Sequence, residues 1–328
     1  MSYQVDELIQ LALKKQSTAG SAETSFDGSN IVEIESGSKF THSPHVRNIR
    51  LVNGGFGWKK SIVGPREVGL TASLPFRTGG ETGKPGDVAV FLEASGFKME
   101  GDSGVYTFKP TTSPSQFTAW MLSGNPGTNS CIAHIARDVK GACKISLDFN
   151  EAIALLSFDG KGILSEIPDT DSHKSITTAT TTPTPSLVGA TINLFDDTDL
   201  IPVNIEFDIK ATVTVTLDPT KDSGCGITLL TNREIDYTMK VYKRTSIDPY
   251  STLYSANHGT ISVEWGVVNN KFKVETKKAE ITGIDTSDQD GVTCLDISGK
   301  ILDDDLTVTI DTSDDTSDGS TGGGGDGT

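Results

Sequence analysis

Cysteine is sparse in this chain, and the four present, Cys131, Cys143, Cys225 and Cys294, stand singly with no C-x-x-C pair. Zinc-ribbon and thioredoxin-like readings therefore lack support, and free thiols are expected. No apolar run approaches the length that spans a bilayer, and the N-terminus lacks the charged, apolar and small-residue order of a secretory signal. The expectation is a product made in a cytoplasm, with no membrane span. Signatures of catalysis are missing too. There is no G-x-S-x-G, Walker A or G-x-G-x-x-G motif, and Gly54-Gly-Phe-Gly57 lacks the lysine and following helix that phosphate binding requires. The five histidines, His42, His45, His134, His173 and His258, include one pair spaced i, i+3, which is too little for a metal site without a further ligand. Carboxylate pairs such as Asp196-Asp197 arise by chance among 44 acids and need opposed environments before they act as acid and base. No enzymatic activity, cofactor or metal is expected.

What the chain does have is glycine, β-formers and acid. Its 328 residues suit about two domains, and 35% hydrophobic content suffices for small cores. Thirty-four glycines among Thr, Ser, Val and Ile runs predict a β-class protein with many turns. The net charge is -16, and beyond Lys300 there is no basic residue. Residues 311–328, rich in Asp, Ser, Thr and Gly, have almost nothing to bury and are predicted to form a solvated, flexible tail; their spacing does not match a calcium loop. The body stays acidic without the tail, which argues against tight binding to a nucleic-acid backbone.

Apolar residues at 5, 8, 9, 11 and 13, with acids early and lysines late, predict an amphipathic helix over Val5–Lys15 within an N-terminal arm, 1–30. It could dock on a neighbouring subunit or cap its own sheet. A first β-domain is read over 31–167, a Thr/Pro-rich linker over 168–189 and a second β-domain over 190–310. The halves share an order of elements. Glu67–Phe76, a helix over Asp87–Gly96 and the strand Val105–Lys109 are echoed by Glu234–Tyr242, a short helix over Pro249–Gly259 and the strand Thr260–Trp265. A period of about half the chain indicates duplication of a domain.

Gly226-Ile-Thr-Leu-Leu-Thr-Asn-Arg-Glu-Ile-Asp236, the segment Lys277–Val292 and Asp303-Asp-Asp-Leu-Thr-Val-Thr309 give the second half its character. In the first half, Pro85–Phe97 precedes Tyr106–Thr112, and Val139–Phe149 precedes Leu155-Leu-Ser-Phe-Asp-Gly160. In this order, from about residue 45 to 310, the chain resembles the major tail tube proteins of long-tailed, siphovirus-like bacteriophages. The resemblance implies two tandem domains, each a β-sandwich or partly closed barrel with a short helix, whose inner sheets join between subunits into a tube. It implies a structural virion protein, located in the phage tail, that stacks in rings around a conduit for DNA. Implied partners are further copies of itself and the tape measure, terminator and distal tail proteins, with DNA in passage and not specifically bound.

If both halves carry this fold, three chains make a pseudo-sixfold ring; if one does, six are needed. The segment Arg47–Arg66 suits a loop between rings, with Phe56 and Trp58 as anchors and Lys59, Lys60 and Arg66 as charge, and Leu8 and Leu11 of the expected helix are further candidates. The same segment could be an ordinary hairpin with Trp58 in its own core. Two other functions fit a non-enzymatic β-protein. One is a capsid decoration or head protein. The other is a carbohydrate-binding adhesive module using Trp58, Tyr250, Tyr254 and Trp265 as stacking platforms.

Overall fold

Alternating apolar and polar residues over long stretches, with few internal breakers, produce long strands. The computed structural model describes residues 10–49, 60–79, 83–102, 104–123, 132–165, 182–195, 200–243 and 258–313, and side chains at 43–49, 60–63 and 123 lie outside that description. Within these limits the first half contains β1 (Gln10–Lys15), β2 (Ile31–Val32), β3 (Lys39–Ile49), β4 (Lys60–Pro75), helix α1 (Asp87–Ala94), β5 (Phe97–Glu100), β6 (Val105–Pro110), β7 (Phe117–Ser123), β8 (Ile132–Asp148) and β9 (Ile153–Leu164). The second contains β10 (Thr191–Leu194), β11 (Pro202–Leu217), β12 (Cys225–Tyr242), β13 (Gly259–Val267), β14 (Asn270–Gln289), β15 (Val292–Ile301) and β16 (Thr307–Asp311). All pair antiparallel, in one mainly-β network that does not close on itself.

The pairing repeats. In the first half the ladder runs β1-β7-β8-β9-β4-β3, and in the second it runs β10-β13-β14-β15-β12-β11. The register repeats as well. Val68, Leu70, Ala72 and Leu74 of β4 face the core as Ile235, Tyr237, Met239 and Val241 of β12 do. Opposite the second residue of each set lies a glycine, Gly160 across from Leu70 and Gly299 across from Tyr237. Glu67 thus matches Glu234, in the register of the sequence comparison. The counterpart of β13, however, is β7 and not the strand Val105–Lys109. β6 instead extends the outer layer, pairing β5 and β16, because the β5–β6 hairpin is an addition to the repeated ladder.

The two ladders are joined where β8 pairs β11, Cys143–Asp148 against Ile209–Asn204. This gives an unbroken run of eight strands, β3-β4-β9-β8-β11-β12-β15-β14. Its apolar face packs against α1 and the outer strands. Phe91 of α1 meets Phe158 of β9 edge to face, and Phe76 packs on Trp265 and Phe272 of the other half. One core cluster therefore holds residues from both halves.

Local chemistry places α1. Gly86, at φ 84, caps its start, and a Cβ there would overlap the Arg77 carbonyl oxygen. Asp87 in the first turn suits the macrodipole and accepts from the Glu33 amide at 3.1 Å, while burial raises its pKa. At the C-terminus Arg233 of β12 donates to the Gly96 carbonyl at 2.8 Å and pairs with Asp304 at 2.7 Å. A cation from the second half thereby satisfies the helix end of the first.

Two expectations need correction. Gln10–Lys15 is a strand, not the end of a helix, and pairs β7 at six consecutive positions. Leu11, Ala12 and Leu13 are all buried. Three consecutive apolar residues covered on both faces fit helical spacing as well as a buried strand, and the available edge of β7 decides. Residues 1–9 lie outside the described residues, as do most of the linker and residues 249–257 of the helix expected at Pro249–Gly259, whose last residue instead opens β13. Near the other end, β16 continues through Asp311, and Thr312 is fully buried. The Thr312 hydroxyl donates to the Gly104 carbonyl at 2.9 Å and accepts from the Gly83 amide at 3.0 Å. The polar tail therefore begins after these anchors. Deleting 314–328 should change unfolding free energy by less than ~0.5 kcal/mol, whereas deleting 311–328 should cost about 2 kcal/mol, both readable by urea denaturation.

Candidate functional site

The second face of the eight-strand run is polar, since period-2 alternation sends every other residue away from the core. A trough of about 470 Å³ crosses it in the first half, lined by Thr71, Ser73, Lys144, Ser157, Asp159 and Asp208. Ion pairs lace the strands on this face. Lys144 Nζ lies 2.7 Å from Glu206, Lys210 Nζ 2.6 Å from Asp236 and Lys240 Nζ 3.8 Å from Asp296. The Asp236 carboxylate holds the Lys210 ammonium above its usual pKa. Carboxylates outnumber lysines here: Asp148, Asp159, Glu206, Asp208, Glu234, Asp236, Glu280, Asp285 and Asp296 stand beside Lys39, Lys144, Lys161, Lys210, Lys240 and Lys300 on in-register rows.

The ends of the run are open among the described residues. β3 pairs only β4, and Ile284–Gln289 of β14 pair only β15. Unpaired edges are templates for another strand.

A buried polar node supports the middle of the run. β8 bulges between Arg137 and Lys140, with Asp138 at φ 54. The Arg137 guanidinium donates to Asp138 at 2.5 Å, to the Gly226 carbonyl at 2.8 Å and to the Cys225 carbonyl at 3.0 Å. Asp138 also accepts from the Gly20 amide at 2.9 Å, and its own amide donates to Gln16. The N-terminal segment, the bulge and the start of β12 are thus tied together.

No family model and no curated protein matches this chain. Its function is therefore to be argued from the surfaces themselves.

Of the residues singled out in the sequence, Leu11 is buried in the chain's own core and is not a surface contact. Lys60 pairs Ile49 in the β3–β4 hairpin. Arg66 is partly buried in β4, and its amide donates to the Ser223 carbonyl at 3.0 Å. Leu8, Phe56, Trp58 and Lys59 lie outside the described residues. Trp265 is buried and stacks on Phe272, so it is no platform for a sugar ring; Tyr250 and Tyr254 lie outside the description. The side chain of His45 is likewise undescribed, and His42 meets His134 instead, Nε2 to Nδ1 at 2.8 Å, with Phe40 against the His134 ring. Burial, aided by His42, lowers the His134 pKa to about 4. Among the described residues no three His, Cys, Asp or Glu side chains group as metal ligands. Cys143, Cys225 and Cys294 are buried free thiols, with Cys143 pushed up to about 12 by burial. No helix of the described residues is long and apolar enough to cross a membrane.

The residues that sequence reasoning missed are Arg137, Asp138 and the polar row itself. Alternation marked the strands of the run, but nothing local marked which rows would align.

Proposed function

We propose that this chain is the tube-forming subunit of a phage-type tail, a structural protein whose eight-strand run supplies one arc of a ring. The observation that carries this reading is the repeated six-strand ladder, joined through β8 and β11 into one run that is polar on one face and, among the described residues, open at both ends. A subunit containing two equivalent units favours a trimeric ring of pseudo-sixfold symmetry over a hexamer. With strands ~4.8 Å apart, three such runs close at about 115 Å around and about 37 Å across the backbone before tilt, enough for a nucleic-acid duplex; six would double both. The acid-rich face turned inward would repel phosphates and let DNA slide without binding. Rings would stack into the tube, in contact with tape measure, terminator and distal tail proteins, and the protein would reside in the virion.

Negative-stain microscopy of the purified protein across a concentration series tests this. Hollow tubes or stacked rings with threefold end views are expected. Protein that stays monomeric at every concentration by sedimentation, with no ring in any class average, would overturn the reading.

A further inference from the structure

The repeated ladder contains its own template for a contact between chains. Inside the chain, β8 uses one edge twice: β7 pairs its first part, and β11 continues along the same edge over Cys143–Asp148. By the repeat, β14 corresponds to β8 and β13 to β7. β13 pairs β14 as far as Ala279, after which the same edge of Ile284–Gln289 has no strand among the described residues. β11 corresponds to β3, whose outer edge is open in the same sense among the described residues. The half of the junction that each chain lacks is therefore what a second copy offers.

Register fixes which residues would meet. The row Lys144, Ser157, Ser73 across β8, β9 and β4 corresponds to Asp285, Asp296, Lys240 across β14, β15 and β12. The row Lys39, Thr71 across β3 and β4 corresponds to Glu206, Thr238 across β11 and β12. Glu206 and Lys144 form the ion pair of the internal junction, at 2.7 Å. At their counterparts stand Lys39 and Asp285, both exposed, with the signs exchanged. Exchanged signs keep the pair attractive, and they set both new edges against self-pairing of like with like.

We infer that copies of this chain join head to tail by antiparallel pairing of β3 Lys39–His42 with β14 Ile284–Ser287 of the next copy. Thr41 then lies opposite Asp285, and Lys39 pairs diagonally with that carboxylate. This rests on the ring reading above and names the contact that closes the ring.

The test pairs cross-linking with charge exchange. A Thr41→Cys/Asp285→Cys chain, assembled and mildly oxidised, should give covalent ladders on denaturing gels, since directly opposed Cβ atoms lie within ~5.5 Å; either single variant should not. Lys39→Glu alone and Asp285→Lys alone should each raise the half-assembly concentration about 5-fold, and the two together should return it to within about 2-fold of the parent. Rings that form without cross-linking, or singles whose effects simply add, would overturn this pairing while leaving the ring reading intact. Absence of any assembly in the parent chain would remove both.

Discussion

Replacing Arg137 with Met should lower the unfolding free energy by about 3 kcal/mol, because it removes the cation hydrogen-bonded to the buried Asp138 carboxylate and leaves the more distant Lys140 ammonium as counter-charge. Asp138 is 0% exposed and Arg137 7%, so water cannot take over from the guanidinium. The Cys225 and Gly226 carbonyls lose donors in the same change, and each unsatisfied buried acceptor adds to the cost. Chemical denaturation followed by far-ultraviolet circular dichroism reads the effect. Adding Asp138→Asn to Arg137→Met should recover part of the loss, because the stranded charge is gone, and the double-mutant cycle gives the coupling directly. A loss below ~1 kcal/mol for Arg137→Met would mean that Asp138 is adequately held by the Gly20 amide together with the nearby Lys140 ammonium.

Gly299→Ala should cost about 2 to 3 kcal/mol, the usual range for forcing atoms into a filled interior. A Cβ at this position would overlap both the Glu280 carbonyl oxygen and the Tyr237 hydroxyl. Tyr237 is 1% exposed and its hydroxyl donates to that same carbonyl at 3.1 Å, so the ring has nowhere to retreat without breaking a buried hydrogen bond. Tyr237→Phe serves as the comparison: it removes only the hydrogen bond and should cost about 1 kcal/mol. Equal losses for the two variants would show that the glycine is not required for ring packing. Gly160, its counterpart, also lies beneath a ring, that of Phe158 two residues before it on β9, with Gly141 directly opposite on β8. Small residues on facing strands under an aromatic ring are a way for a long sheet to bend.

Several elements were legible because their signals are local. The helix Asp87–Ala94 has glycine before it and after it and an acid in its first turn. β4, β9, β12 and β15 show plain alternation. Elsewhere local signals misled. Val203–Ile209 and Ala211–Leu217, apolar runs that a charge divides in the sequence, form one strand, since Lys210 is simply a solvent-facing residue between them. Lys271–Val274 and Ala279–Thr282 merge into β14 for the same reason. The pairing of His42 with His134 spans 92 residues, and no spacing rule reaches that far. Arg137-Asp138 reads as an ordinary charged turn until the bulge buries it against β12.

By itself the sequence determined the class of the protein: many β-formers and abundant glycine lead to a mainly-β chain, because alternation and turn chemistry act within a few residues. It also set the acidic balance. Only the tertiary structure decided that Gln10–Lys15 is a strand, that β8 pairs β11 across the two halves, and that Lys144 meets Glu206 where, among the described residues, Asp285 and Lys39 have no equivalent partner strand. Strand order and register are choices between distant segments, made by the burial of whole faces and the availability of edges, and no local pattern encodes them.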